Sequence, residues 1–352
     1  MIFVLFSLLL LNSSSSAGQE LGWSAQSSGV LARLSGVFFI DRDHGCVIGS
    51  NGTLLVTENG GAKWSRQTLP ERQKSEALND LWFFKAERGL LLGEYGLFNR
   101  KGGIDWSERI FLLMSYDGGA NWTAGEMAKP PIRQPEIVMS RKPGEGVEVL
   151  KPGQRSPDPV LTRMAFANGR EGWACGEAGT IQWTRDGGVT WQMGQTPVRK
   201  LLYDVAAIDG KQACVIGAGG TVLRTNDGGQ NWIEQASGVA ATLRAVHFVD
   251  ARQGWAVGSQ GTIIATANGG ARWQTQTSNT TQHLNDVFFV NAKEGWVAGD
   301  RGLLLHTTDG GATWESVEFA THANLARLFF IAPDCGWVVG TSGAILKYGP
   351  SS

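Results

Sequence analysis

The 352-residue sequence contains few of the residues that most often carry chemistry, with only four Cys, five His and four Tyr. Its charges nearly cancel, because 31 Lys and Arg face 32 Asp and Glu. No excess of positive charge therefore indicates a nucleic-acid partner or an anionic membrane surface. The His residues show no paired metal-ligand spacing, so we expect neither a metal ion nor another cofactor.

Long apolar runs are also missing. The longest covers residues 2–11 and is broken only by Ser7, whereas a bilayer span needs about 20 apolar residues. Small residues follow at Ser15, Ser16 and Ala17, so we expect residues 1–17 to be a secretory signal peptide. No Cys follows this run to accept a lipid anchor. We therefore expect an exported chain, periplasmic or secreted, that does not insert into the membrane itself.

Glycine and tryptophan, by contrast, are abundant, with 48 and 14 residues. Trp191, Trp232, Trp273 and Trp314 lie 41 residues apart, and each ends a motif such as TTDGGATW. Around this box the unit consists of a leucine, an apolar alternation, Gly-Trp-x-x-Gly-x-x-Gly and a second alternation. Short alternating runs separated by Gly predict four strands in each unit.

A four-stranded repeat of about 40 residues is typical of a β-propeller blade. The sequence therefore predicts an all-β, seven-bladed β-propeller that occupies residues 18–352 as a single domain. The chain ends before the last unit reaches its fourth strand, and Trp23 lies 41 residues before Trp64. We expect the strand around Trp23 to complete the last blade and close the ring. The leucines that open the seven units are Leu34, Leu78, Leu161, Leu202, Leu243, Leu284 and Leu325.

The box carries Asp or Asn at a fixed position. An Asp such as Asp309 can accept N–H groups across its own turn, and the Gly pair that follows can adopt positive φ. Two of the six copies have Asn, which a turn tolerates but a charged calcium site does not. We interpret the position as structural. Its residues are Asn59, Asp117, Asp186, Asp227, Asn268 and Asp309.

Connection lengths distinguish the two faces of the predicted ring. The connections from first to second strand and across the box are constant, so we call their side the fixed face. The other two connections vary, and loops that vary on a constant scaffold often carry function. On this variable face, a Pro-rich insertion at about residues 128–160 includes Arg133, Arg141 and Lys142. It is interpreted either as a linker or as an arm that holds a partner.

Charged residues follow the opening leucines, near the expected mouth of the central channel. They can bridge one another and keep the ring soluble, or form a patch that binds carboxylates. The sequence leaves both interpretations open. The residues are Asp80, Arg163, Asp204, Arg244, Asp286 and Arg327.

An enzymatic alternative also exists, because glycosidase propellers carry similar boxes. Glu94, Glu177 and Asp300 fall in Gly-x-x-Gly turns of the variable face, and a glycosidase needs two carboxylates that face one cleft. A sialidase would need six blades and a Tyr–Glu pair, which this pattern does not offer. Glycan binding or hydrolysis is therefore the alternative function.

The complete pattern resembles the photosystem II assembly and stability factors, which are exported seven-bladed Asp-box (BNR-type) propellers. The resemblance covers about residues 21–349 and rests on LxxVFFV…GWAVGxxGTIIxTxDGGxxW, the seven-fold count and Trp23. It implies a non-catalytic protein that holds a membrane protein, or its exported segment, during assembly. It also implies an arginine patch, whose best match by position is Arg163, Arg244 and Arg327. We expect a monomer, in the thylakoid lumen if the organism is photosynthetic.

Overall fold

The computed structural model describes residues 21–96, 109–129, 137–138, 148–149, 159–318 and 321–350. In these ranges the chain forms seven four-stranded antiparallel sheets and one separate two-stranded pair. The predicted all-β, seven-bladed propeller is confirmed. The described helices are all too short to cross a bilayer. The expected signal peptide at residues 1–17 lies outside the described ranges.

The opening leucines begin the inner strands, except that blade 2 starts one residue before Leu78. The strands of the first half of the chain are β1 (Leu21–Gln26), β2 (Leu34–Phe39), β3 (His44–Gly49), β4 (Thr53–Glu58), β5 (Ser65–Arg66), β6 (Ala77–Phe83), β7 (Gly89–Glu94), β8 (Ile110–Ser115), β9 (Thr123–Gly125), β10 (Ile137–Val138), β11 (Glu148–Val149), β12 (Leu161–Phe166), β13 (Gly172–Gly176), β14 (Ile181–Thr184) and β15 (Gln192–Met193).

The strands of the second half repeat with near-constant lengths. They are β16 (Leu202–Ala207), β17 (Ala213–Gly217), β18 (Val222–Thr225), β19 (Ile233–Gln235), β20 (Leu243–Phe248), β21 (Gly254–Gly258), β22 (Ile263–Thr266), β23 (Gln274–Gln276), β24 (Leu284–Phe289), β25 (Gly295–Gly299), β26 (Leu304–Thr307), β27 (Glu315–Ser316), β28 (Leu325–Ala332), β29 (Cys335–Gly340) and β30 (Ile345–Pro350). Short 3-10 turns cover Glu71–Gln73, Glu177–Gly179, Ala218–Gly220, Ser259–Gly261, Asp300–Gly302 and Thr341–Gly343.

Blades 1 to 6 each use four strands in sequence order from the channel outward. Blades 1 to 6 contain β2–β5, β6–β9, β12–β15, β16–β19, β20–β23 and β24–β27. Blade 7 contains β28, β29 and β30, and its outer strand is β1.

The first strand in the described residues, β1, closes the ring, as the sequence predicts. β1 pairs with β30 without a register shift, from Leu21 opposite Pro350 to Gln26 opposite Ile345. The Trp23 ring packs edge-on against Trp296 of blade 6, with centroids 5.3 Å apart. β1 therefore both completes blade 7 and seals it against blade 6.

The hydrophobic core lies between neighbouring blades. The Trp337 ring of blade 7 stacks flat on Phe39 of blade 1, with centroids 3.4 Å apart, and Trp255 stacks in the same way on Phe289. Cys46 and Cys214 take the place of this Trp in their blades. All four cysteines are free and buried, and burial raises the pKa of Cys46 and Cys214 to about 12.

The boxes are turns held by their own side chains. The Asp309 carboxylate accepts hydrogen bonds from the Thr313 N–H at 2.9 Å and from the Thr307 hydroxyl at 2.8 Å. Gly310 and Gly311 have φ of 77° and 87°, where a side chain would be strained. Asn268 accepts the equivalent hydrogen bond from the Arg272 N–H at 2.9 Å, so the amide replaces the carboxylate.

Candidate functional site

A β-bulge directly after the opening leucine organises the channel. In every blade the register shifts between that leucine and the second residue after it. Because a bulge places two residues opposite one, the two residues that follow the leucine enter different layers. The first residues form a mouth layer: Ser35, Asn79, Thr162, Tyr203, Arg244, Asn285 and Ala326. The second residues form an inner ring: Gly36, Asp80, Arg163, Asp204, Ala245, Asp286 and Arg327.

The mouth layer borders a cavity of about 590 Å3. Arg33, Arg163, Arg244 and His283 line it together with Tyr203. Two carboxylates, Glu94 and Asp300, also line the cavity, and burial raises the pKa of Glu94. The three arginines exceed the two carboxylates by one positive charge, and protonation of Glu94 would increase this excess.

Four residues of the mouth layer tie their blade to the next through carbonyl oxygens of the opening leucines. The Ser35 hydroxyl donates to the Leu78 carbonyl at 2.7 Å, and the Thr162 hydroxyl donates to the Leu202 carbonyl at 2.9 Å. The Asn285 amide donates to the Leu325 carbonyl at 2.9 Å. These hydrogen bonds hold Ser35, Asn79, Thr162 and Asn285 in place at the mouth.

Arg244 is held by this framework but is incompletely satisfied. Its Nη1 donates to Asn285 Oδ1 at 2.9 Å, and the Asn285 amide also donates to Asp300 Oδ1 at 2.8 Å. The buried Arg244 Nε donates no hydrogen bond to any residue in the described ranges. The Arg244 guanidinium thus lies at the cavity wall, and its Nε–H makes no hydrogen bond within the described ranges.

Three aspartates of the inner ring join blade 2 to blade 3, blade 4 to blade 5 and blade 6 to blade 7. Asp80, Asp204 and Asp286 are nearly fully buried. Each accepts the backbone N–H of the third residue after the opening leucine of the next blade, which is Met164, Val246 or Leu328, at 2.6 to 2.9 Å.

The three predicted arginines divide between the two layers. Arg163 and Arg244 line the mouth cavity as expected, whereas Arg327 lies deeper, with Nη1 3.3 Å from Asp286 and 3.8 Å from Asp204. Arg163 donates to the Asn79 carbonyl at 2.8 Å and lies 3.8 Å from Asp80. The bulge turns the second residues after the leucines, Arg163 and Arg327, toward the inner ring, and of these two only Arg163 also lines the mouth cavity. Arg327 is therefore paired with carboxylates of the inner ring, whereas Arg244 lines the mouth cavity and bonds a neutral amide.

Two mouth residues were not predicted. Arg33 and His283 directly precede opening leucines, as do Ala77, Val160 and Asn324, which also line the cavity. The signal in the sequence that could have identified them is their shared position, directly before an opening leucine. The predicted residues Arg133, Arg141 and Lys142 lie outside the described residues.

The carboxylates considered for glycoside hydrolysis are unequal. Arg109 holds Glu177 with two contacts, at 2.7 and 3.3 Å. Glu177 also accepts the Val160 N–H at 3.1 Å, so its oxygens are used to fasten the entry into blade 3. In the ranges that the structure describes, no group of three or more His, Cys, Asp or Glu side chains could hold a metal ion.

Comparison with solved structures places the fold among known propellers. A structure described as YCF48 bound to D1 peptide covers 94% of this chain and 97% of its own, with a TM-score of 0.69 and 22% identity. YCF48 from Cyanidioschyzon merolae follows closely, with 93% and 98% coverage, a TM-score of 0.67 and 19% identity. The GH74 xyloglucanase from Xanthomonas campestris also matches, with a TM-score of 0.64, 12% identity, and coverage of 92% of this chain and 53% of its own. At such identities these likenesses concern the fold.

Comparison with sequences identifies the family. The photosystem II assembly lipoprotein Ycf48 of Synechococcus sp. (strain CC9902) is 24% identical over 185 residues, which are 52% of this chain and 43% of the relative. The chain thus aligns with less than half of that relative's length. The family model described as photosynthesis system II assembly factor YCF48 matches residues 16–129 and 235–322, more than half of the chain. The resemblance seen in the repeat is therefore confirmed, and the chain belongs to the YCF48 family of photosystem II assembly factors.

Proposed function

We propose that this protein is a non-catalytic, exported scaffold that binds another protein and acts as an assembly or stability factor for a membrane protein complex. Membership of the YCF48 family supports the role. The D1 peptide named for the similar YCF48 structure supports a peptide segment as the occupant. The partner segment binds at the channel mouth on the variable face.

The buried Arg244 Nε carries this proposal. A buried donor without an acceptor costs roughly 1–3 kcal/mol, so an acceptor that a partner brings to Arg244 Nε would be favourable. A carboxylate from a partner accepts from Nε while Nη1 stays on Asn285. Exposed Arg33 on the rim and the Tyr203 hydroxyl add donors to the same cavity. The ligand is therefore an extended peptide segment that carries acidic side chains or a terminal carboxylate.

The insertion at about residues 128–160 borders this site at its C-terminal end, where Val160 lines the mouth. At the other end, the buried Gln182 amide clamps Ala128 through two hydrogen bonds of 2.9 Å. Both ends are thus fastened to blade 3. We propose that Arg133, Arg141 and Lys142 contact the partner from this insertion.

The test measures fluorescence anisotropy of labelled peptides titrated with the chain: a D1 peptide, and the same peptide with its acidic groups converted to amides. Arg244→Ala with Arg33→Ala should weaken binding of the acidic peptide at least tenfold, since charge-assisted hydrogen bonds contribute about 1.5–3 kcal/mol each. The amide peptide should bind poorly to every variant. The matched control, Lys63→Ala with Arg272→Ala, removes two exposed charges from boxes of the fixed face.

Two results would contradict the proposal. If the control variant loses the peptide and the mouth variant keeps it, the wrong face has been chosen. If the chain hydrolyses xyloglucan or a sialoside, and Glu94→Gln abolishes turnover, the glycosidase alternative is correct. The raised pKa of Glu94, which a general acid requires, is the observation that keeps this alternative in the test.

A further inference from the structure

Below the mouth, a second cavity lies inside the channel. Its volume is about 200 Å3. Asp80, Asp204, Asp286 and Arg327 of the inner ring line one part of it. The fourth residue after each opening leucine lines another part, and five of the seven are aromatic: Phe38, Trp82, His247, Phe288 and Phe329.

The aromatic side chains form a continuous wall across five blades. The Phe38 ring lies 4.9 Å from Phe329 and 5.6 Å from Trp82, measured between centroids, and His247 lies 4.5 Å from Phe288. Burial lowers the pKa of His247 to about 4, so this imidazole is neutral at pH 7. Its Nδ1 accepts the Phe289 N–H at 3.3 Å. The wall therefore presents uncharged π systems to the cavity.

Charge in the inner ring is not balanced. Three carboxylates face two guanidinium groups, so one carboxylate is in excess. Asp204 is the residue whose bonding is incomplete. It is 3% exposed, its Oδ2 accepts the Val246 N–H at 2.9 Å, and its Oδ1 accepts no hydrogen bond from the described part of the chain. Arg327 Nη1, 3.8 Å from Oδ1, is too distant for a hydrogen bond.

The spacing of the two layers suits a small cation. Residues two apart on one face of a strand lie roughly 7 Å from each other, and both layers line the same cavity of about 200 Å3, so a small cation inside it would lie between the carboxylate layer and the aromatic layer. A cation within about 6 Å of an aromatic centroid is attracted to the ring face, most strongly by Trp. We propose that this cavity is a binding site for one small organic cation, an alkylammonium, held between the Asp204 carboxylate and the aromatic wall that includes Trp82.

The site is separate from the proposed peptide site. The mouth offers arginines for an anionic ligand, whereas the inner cavity offers an excess carboxylate and π faces for a cationic one. Burial raises the pKa of Asp204 to about 6, against the opposing effect of Arg327 and Arg163. Cation binding needs the ionised carboxylate and should therefore weaken at acidic pH. The charged and titratable groups around Asp204 are Arg163, Arg327, Asp80, Asp286, His247, Cys175 and Cys214.

The test uses choline and its uncharged carbon isostere 3,3-dimethylbutan-1-ol, titrated into the full chain by isothermal calorimetry at pH 7.5. Choline should saturate one site per chain, and the isostere should bind at least tenfold more weakly. Asp204→Asn keeps an oxygen for the Val246 N–H but removes the charge, and should weaken choline binding at least tenfold. Asp186→Asn, which changes an exposed box carboxylate of the fixed face, should leave it unchanged.

Two further measurements apply if Asp204→Asn does not fold. Trp82→Leu should weaken choline binding several-fold and leave the weak binding of the isostere unchanged. For the unaltered chain, choline affinity should fall about tenfold between pH 7 and pH 5 as Asp204 takes up a proton. The proposal is overturned if choline does not saturate, if the isostere binds equally well, or if folded Asp204→Asn retains full affinity. Equal affinity at the two pH values together with an unaffected Trp82→Leu also overturns it.

Discussion

Replacing Arg327 by Ala removes the cation that joins blade 7 to carboxylates of blades 4 and 6 inside the channel. Its Nη1 lies 3.3 Å from Asp286 and 3.8 Å from Asp204, and the two carboxylate side chains are each 4% exposed. At an effective dielectric constant of 20 the two contacts are worth about 4–5 kcal/mol each, and desolvation of the guanidinium offsets much of this. We expect a loss of about 3–5 kcal/mol in the free energy of unfolding, the range for removing one partner of a buried ion pair.

The pH dependence of this loss in stability provides a second test of the ion pairs around Arg327. Burial raises the pKa of Asp204 to about 6 and also raises that of Asp286, although Arg327 opposes both shifts. A carboxyl whose folded pKa lies above its unfolded value of about 3.9 favours folding at low pH, and this advantage is lost as the pH rises through the folded pKa. Without Arg327 both folded pKa values rise further. The variant should therefore be most destabilised at pH 7–8 and should approach the unaltered chain toward pH 5.

Urea denaturation followed by tryptophan fluorescence at pH 5.0 and 7.5 measures both effects. Arg244→Ala is the matched control, because that arginine faces the mouth and bonds a neutral amide, and we expect it to cost less than about 1 kcal/mol. If Arg327→Ala and Arg244→Ala have equal stabilities at pH 7.5, or if the cost of Arg327→Ala does not shrink at pH 5.0, the ion-pair account of the inner ring is wrong.

Three further predictions concern the scaffold. A chain that begins at Ser27 lacks β1, so it should lose protection from hydrogen exchange in β30 and melt several degrees below a chain that begins at Gly18; equal melting would refute closure by β1. Asp309→Asn should leave the melting temperature nearly unchanged, because Asn59 and Asn268 accept the same turn N–H groups, whereas Asp309→Ala should lower it. The turn N–H groups lower the pKa of Asp309 to about 2. The contribution of its carboxylate to the stability of the fold is therefore complete above about pH 4 and disappears as the pH falls through 2. A calcium-dependent rise in the melting temperature would restore a metal-binding interpretation of the box. Cys46, Cys175 and Cys214 should react with iodoacetamide only after unfolding, since burial raises the pKa of each thiol, and mass spectrometry of the folded chain would reveal any exception.

The sequence contained most of the fold because each blade repeats the same short pattern. Leu34 and its equivalents mark where inner strands begin, and the interval from Trp23 to Trp64 identifies the closing strand. Side-chain direction inside the channel was harder to predict. Strict strand alternation does not anticipate a bulge after the leucine, and the bulge decides that Arg244 faces the mouth while Arg327 turns inward.

Contacts between blades explain the rest of what the sequence could not supply. The partner of Glu177 is Arg109, which lies 68 positions earlier, and no local pattern connects the two. The cavity between the acidic ring and the aromatic wall depends on five blades that contribute one aromatic side chain each. Phe38 and Phe329 read as ordinary apolar strand residues until the ring brings them together.

The pairing of β1 with β30 also imposes an order of events in time. Leu21 leaves the ribosome early, whereas its partner Pro350 is added 329 residues later, roughly half a minute at about 5–20 residues per second. Until β30 is made, β1 has no partner strand, and Trp296, once added, lacks the Trp23 ring that packs against it in the closed propeller. A polypeptide interrupted before β30 lacks the partner strand of β1 and cannot close the ring. Any partner that recognises the closed ring therefore meets only molecules that contain both β1 and β30.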